Sequence, residues 1–408
     1  MTDRAPSFDT FDAVVRLCSD GAGGDVAYAL VKHTYSFRGR RLERIAPVPL
    51  ENEPMPDAQE LPPHTDFYPM KPATDIVVIG NAYAPYGVAA ERFDARLTVG
   101  DVSKEVAVFG PRTLRMVDGR PRISAPEPVR EVLLDRTEAY GGKDLATPVF
   151  AEPGSEAEAA LLFDHPGIYP RNEGGRGYLV VPEPGRELAM PSLEDPTDLL
   201  DEHRIQVKKA YRWYQQPLPC FLGRTALSDF PRIAHIGLYA WYLGPEDDAL
   251  PEVARGWLPM NYRSTWGEGE TEPRTTWFRQ EAPPDMIFPR IPPNAPFTFY
   301  NMHEEKPIIG FDFLDRLPEI EFRVAGRPVS AETTVHTVVC YPNEACVTVV
   351  FGAAIRLERR FIPGIHRHIP ISARIDRDTE VLFETPSTNR ELLAAIVDEH
   401  AASKGMEQ

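Results

Sequence analysis

Residues 93–110 read FDARLTVGDVSKEVAVFG, and this stretch decides the fold class. Gly100-Asp101 is a two-residue step of the kind that matches the twist of a β-hairpin. If Val99 faces Val102, Arg96 falls opposite Glu105 on one face, while Phe93 meets Val108 and Ala95 meets Val106 on the other. A one-residue slip would push the charges among the apolar side chains, so a single antiparallel register is expected.

The same signals extend in both directions. Upstream, residues 26–44, VAYALVKHTYSFRGRRLER, form a β-rich run that turns at Gly39 within Arg38-Gly39-Arg40. Residues 67–85, FYPMKPATDIVVIGNAYAP, place Pro72 after Lys71, which keeps Lys71 extended. From Ile76 the alternation predicts a buried strand with Ile76, Val78, Gly80, Ala82 and Ala84 on one face and Val77, Ile79, Asn81 and Tyr83 on the other. The first face narrows to small residues, which suits a close approach of another backbone or ring. Lys71, Asp75 and Tyr83 are the chemical side chains of this stretch, and Lys71 and Asp75 are expected to position the mouth of the strand. Downstream, NEGGRGY at 172–178 has the glycines of a phosphate cradle, but YLVVP follows it where a helix N-terminus would be needed, so a structural turn is expected.

Pro is the compositional outlier. Its 42 copies among 408 residues are roughly twice the average usage of about 5%, and Pro shortens helices and confines strands to edges and ends. The length exceeds what one ordinary hydrophobic core serves. The expectation is a mainly β protein of two antiparallel, β-sandwich-like lobes with a few short helices. Residues 1–190 form the N-terminal β lobe and 218–375 the C-terminal β lobe. Between them, 191–217 is a helical connector on which Val207, Ala210, Tyr211 and Tyr214 make an apolar stripe. A C-terminal helical tail, 376–408, has capping-box spacing at Thr388 and Glu391.

A formal charge of -17, from 44 basic and 61 acidic side chains, opposes nucleic acid and anionic membrane surfaces. A protein partner fits better. No segment has the pattern of a secretory leader or a membrane span, and the four cysteines include no C-x-x-C pair, so a reducing, cytoplasmic location is expected. Cys340 and Cys346 flank YPNEA, either as a disulfide across a hairpin end or as two reduced thiols.

The search for catalytic groups yields two weak constellations. His366 and His368 in GIHRHIP share a face of an extended segment and could hold a metal with a third ligand such as His336. Glu268, Glu270 and Glu272 alternate in WGEGETEPR and could align for acid–base work or a hard cation. Solvated or hydrogen-bonded side chains are the favoured account of both patterns. A β-sandwich hydrolase or carbohydrate-active enzyme using one of these clusters is the alternative to a binding protein. Tyr239, Trp241, Tyr242, Trp257, Tyr262, Trp266 and Trp277 make an aromatic concentration that suits either a core or a partner surface.

Several segments together resemble one bacterial family. KPATDIVVIGNAYAP, VFGPRTL, SAPEPVREVLLDRTEAYGG, YPRNEGGRGYLV and MPSLEDP occur in order, followed by FRQEAPPDMIF and FYNMHEEKP, and the likeness covers residues 25–375. The family is domain of unknown function 2169, associated with type VI secretion. The resemblance implies a non-enzymatic cytoplasmic adaptor or chaperone that binds a toxic effector and helps load it onto the secretion spike. It implies no cofactor, no metal and no catalytic residue, and it assigns no partner-binding residue.

Overall fold

The computed structural model describes residues 11–19, 25–52, 64–68, 71, 73–118, 120–144, 167–169, 171–179, 187–205, 216–225, 280–357 and 370–383. Within them the protein is mainly β, and helix is limited to the single 3-10 turns Pro85–Gly87, Arg136–Glu138 and Pro284–Met286. The stripe residues of the connector and residues 384–408 of the tail lie outside the described residues. The described part of the connector holds the strand Leu193–Glu194, and that of the tail holds the strand Thr379–Leu382 paired with Ile371–Ile375, so the helical expectation is corrected there.

The 93–110 hairpin forms in the expected register: Val99 pairs with Val102, Arg96 with Glu105, Ala95 with Val106 and Phe93 with Val108. Asp25–Arg38 and Arg41–Ile45 likewise pair around Gly39, which takes φ 64. Gly populates that left-handed region without the Cβ clash that other residues meet.

Seven strands build the largest sheet. Its order is Asp12–Ser19, Asp25–Arg38, Cys346–Arg356, Thr334–Tyr341, Thr74–Val78 and Ile287–Phe288, with Arg41–Ile45 branching from Asp25–Arg38. A five-stranded sheet runs Leu193–Glu194, Val102–Phe109, Arg92–Val99, Pro296–Tyr300 and Ile308–Asp312. Strands from both sides of residue 190 share each of these sheets: Val26 to Ser36 pair with Arg356 to Cys346, and Phe297 pairs with Val99. The expected lobe boundary therefore does not separate one set of sheets from another. Strands pair where apolar faces and register agree, whatever their distance along the chain.

The expectation of antiparallel sheets is corrected at two strand pairs, the short parallel pair Tyr140–Gly141 with Arg176–Gly177 and one inside the large sheet. Thr74–Val78 runs parallel to Thr334–Tyr341, with Thr337 beside Asp75 and Cys340 beside Val78. All five of its residues are buried, as befits an internal strand covered on both faces.

That strand also ends earlier than its alternation suggests. Gly80 has φ 148, and Asn81–Tyr83 leaves the large sheet to pair with Glu131–Leu133 in a separate ribbon. A Cβ at Gly80 would meet nothing, so the glycine is required by backbone conformation and not by a close neighbour.

The core is continuous between sheets. Phe37 of the large sheet lies 5.0 Å from Phe311 and 6.3 Å from Phe299 of the five-stranded sheet, and Phe297 stacks on Phe311 at 4.6 Å. All four rings are buried. Each is worth roughly 1.5–3 kcal/mol in burial, and offset stacking adds about 0.5–1.5 kcal/mol per pair.

Candidate functional site

Lys71 and Asp75 come together in the interior. Lys71 Nζ donates to Asp75 Oδ2 at 2.6 Å and to Thr337 Oγ1 at 2.9 Å, and it lies 4.6 Å from the centre of the Tyr68 ring. Asp75 Oδ2 also accepts from the Glu281 backbone N–H at 2.8 Å. Glu281 in turn pairs with Arg224 and accepts from the Thr65 N–H at 2.9 Å. Two cations and two anions thus close on one another where segments 65–75, 224–225, 280–281 and 334–337 meet.

Electrostatics identify what this cluster can do. Burial pushes the Asp75 carboxyl above its usual range, against the pull of the Lys71 ammonium. Burial, reinforced by Glu281, likewise pushes the Tyr68 hydroxyl up. Each charge is committed to an internal partner, and both carboxylates are fully buried. A charge cluster of this kind fixes which segments meet, because any other arrangement would leave an ion desolvated and unpaired. Beside it lies a cavity of about 160 Å³, walled by Ile291, Pro293, Phe313 and Leu317 among others.

Other motifs of the sequence are matched to each other in the same way. Arg112 in VFGPRTL pairs with buried Glu194 in MPSLEDP, stacks over Phe109 at 3.9 Å and donates to the Pro191 carbonyl at 2.8 Å. EAYGG packs against RNEGGRGY: Tyr140–Gly141 runs parallel to Arg176–Gly177, and Asn172 Nδ2 donates to the carbonyls of Arg136 and Tyr140 at 2.8 and 3.1 Å. A Cβ on Gly141 would overlap the Asn172 backbone. The glycine-rich loop is therefore occupied by the chain itself.

Tyr83 is not part of the buried cluster. It sits on the ribbon, half-buried, paired with Glu131, and its backbone N–H donates to the Asn301 carbonyl at 2.8 Å. Asn301, at φ 58, turns the chain into NMHEEKP, and Glu304 N–H donates to Asn343 Oδ1 at 3.0 Å. Three loops thereby converge on one exposed region. Burial raises the Tyr83 hydroxyl pKa, and Glu131, Glu304 and Glu344 raise it further.

The remaining candidates fall elsewhere. His336 is buried at a bulge, where the register between Thr334–Tyr341 and Cys346–Arg356 shifts. His366, His368, Glu268, Glu270, Glu272 and the aromatic run from Tyr239 to Trp277 lie outside the described residues. Among the described residues no three His, Cys, Asp or Glu side chains gather as a metal site, and no helix is long and apolar enough to cross a membrane. Cys340 and Cys346 are free thiols. Cys340 pairs with Val347 and Cys346 with Tyr341, which puts the two sulfurs on opposite faces of the sheet.

Sequence reasoning passed over Glu281 and Arg224, whose partners stand far away along the chain, and Tyr86, which follows the ribbon strand. The signal for Tyr86 was present in Pro85-Tyr86-Gly87, a turn sequence with an aromatic at its centre.

Neither the curated proteins nor the solved structures match this chain. A family model described as an uncharacterized protein conserved in bacteria (DUF2169) matches residues 22–352. That span runs from the second strand of the large sheet to the strand that pairs with it and takes in the internal contacts just described. It covers well over half of the 408 residues, and the chain belongs to this family.

Proposed function

We propose that this protein is a non-enzymatic adaptor or chaperone that binds a type VI secretion effector in the cytoplasm and helps load it onto the secretion spike. The link to secretion rests on the resemblance of its motifs. The observation that carries the binding role is how those motifs are used. VFGPRTL with MPSLEDP, EAYGG with RNEGGRGY, and KPATD with QEAP satisfy one another inside the fold. NAYAP and NMHEEKP meet through the Tyr83 N–H to Asn301 carbonyl bond instead; Ala82, Ala84 and Met302 are buried, Asn81 and Tyr83 are half-buried, and Glu304, Glu305 and Lys306 are exposed.

Interior contacts hold a scaffold, whereas a rigid outward surface suits a partner. Strand addition at a sheet edge is a second way to hold an extended segment. Arg327–Ser330 is an exposed edge strand, but Pro328 removes a donor from it, which favours the loop surface.

Co-purification of the full chain with the effector encoded in the adjacent gene tests the reading. A stable complex is expected, and deletion of the adaptor should abolish export of that effector while leaving other secretion intact. Failure to form the complex, or undiminished export, would overturn it.

A further inference from the structure

Past the ribbon the chain forms the single turn Pro85–Gly87, in which Tyr86 has φ 60 and ψ 18. Bulky residues rarely adopt this left-handed conformation, which Gly or Asn accepts with less strain. The Tyr86 ring makes no return to the fold, because the residue is 93% exposed, and Val88 is 67% exposed.

The turn is held on both sides. Ala84 N–H donates to the Arg130 carbonyl at 2.7 Å, Val88 N–H to the Pro85 carbonyl at 3.3 Å, and Ala90 and Val129 exchange hydrogen bonds of 3.0 and 2.9 Å. A strained backbone that places a large ring in solvent from a fixed base is a feature in search of an external contact.

The surroundings describe that contact. On the ribbon, Ala82 and Val132 face the core, while Asn81, Tyr83, Glu131 and Leu133 lie on the outer face. The Tyr83 N–H to Asn301 carbonyl bond brings in the loop that carries Glu304, and the Glu304 N–H to Asn343 Oδ1 bond brings in the loop that carries Glu344. Glu304 and Glu305 are exposed, and the basic residues adjoining them in the chain or across the ribbon are Lys306 and Arg130. The local balance is acidic, in a chain whose formal charge is -17.

We propose that Tyr86, with Val88 beside it, anchors a protein partner by entering an apolar pocket rimmed by Lys or Arg, and that Glu131, Glu304 and Glu344 select this cationic rim. Rigid aromatic anchors supply large contact area at little entropic cost. Charges at the rim govern partner choice and the salt dependence of association. The inference rests on the adaptor reading and locates its contact face.

The test uses the full chain and the product of the adjacent effector gene as the probe, with affinity measured between about 50 and 300 mM salt. Tyr86→Asn removes the ring and suits the backbone, so its melting temperature should equal or exceed that of the wild type while affinity falls roughly thirtyfold. A Glu131→Gln, Glu304→Gln, Glu344→Gln variant should bind more weakly at low salt and lose most of the salt dependence. Wild-type binding with both variants unchanged overturns this inference alone. Absence of wild-type binding overturns it together with the adaptor reading. Tyr86-dependent binding to phosphatidylcholine–phosphatidylglycerol vesicles, with effector affinity untouched, assigns the ring to a lipid surface and overturns the protein pocket.

Discussion

The imidazole of His336 occupies the space above the bare backbone of Gly352, so that a Cβ at Gly352 would overlap the ring. The bulge at His336 supplies the ring and the glycine receives it, across two strands that otherwise pair in register. Gly352→Ala should cost about 1–3 kcal/mol by overpacking. Combined with His336→Ala it should lose less than the sum of the single changes, because the obstructing ring is gone. Denaturant unfolding of the four proteins measures this coupling.

Lys71→Met leaves the Asp75 carboxylate buried without its ion partner, and an unfolding loss of about 3–5 kcal/mol is expected. Adding Asp75→Asn should recover much of it, since Asn keeps an acceptor for the Glu281 N–H and carries no charge. If the single variant were as stable as the wild type, the cluster would not be holding its four segments together.

His33 makes stability depend on acid. Its Nδ1 meets the Tyr35 hydroxyl at 2.8 Å and Arg44 Nη2 at 3.3 Å. Arg only donates, so Nδ1 accepts and the ring proton sits on Nε2. Burial, with Arg44 adding to it, lowers the His33 pKa from 6.5 to about 3. The unfolded chain therefore binds a proton below pH 6.5 that the folded chain refuses. Stability should fall as pH drops from 6.5 towards 3, by up to about 1.4 kcal/mol per pH unit from this group. His33→Phe, set among Phe11, Tyr35 and Phe351, should remove that component of the slope in unfolding curves collected at successive pH values.

Thiol reactivity should follow burial. The Cys220 thiol is pushed up to about 12 by burial, Cys340 is raised as well, and Cys346 is raised by burial with Glu344 adding to it. Half-buried Cys346 should alkylate slowly in the native protein, and Cys220 and Cys340 only on unfolding. Mass spectrometry of time-quenched labelling gives each rate. A Cys340–Cys346 crosslink under mild oxidation would contradict their placement on opposite faces.

Local pattern and long-range pairing were unequally readable. The 92–109 hairpin was legible because its turn and both its faces lie within one short segment, so charge and apolarity vote for the same register. The 76–84 run was legible only up to Val78. Alternation continues through Gly80, but the backbone rotates there and Asn81 joins a different partner. Nothing near Asp75 in sequence announces Thr337 or Glu281, so the ion cluster was visible only as two charges four residues apart. Tyr83 was visible as a candidate, whereas its carboxylate neighbours come from three other segments.

The pairing of Asp25–Arg38 with Cys346–Arg356 has a temporal consequence. During synthesis the N-terminal strands leave the ribosome long before their central partner exists, and closing such a span precedes any reward from its contacts. Until residue 356 emerges, the apolar edge of the early strand is open to intermolecular pairing. The nascent chain should therefore gain from holding factors, and truncation anywhere before Cys346–Arg356 should yield aggregate, not a smaller working domain.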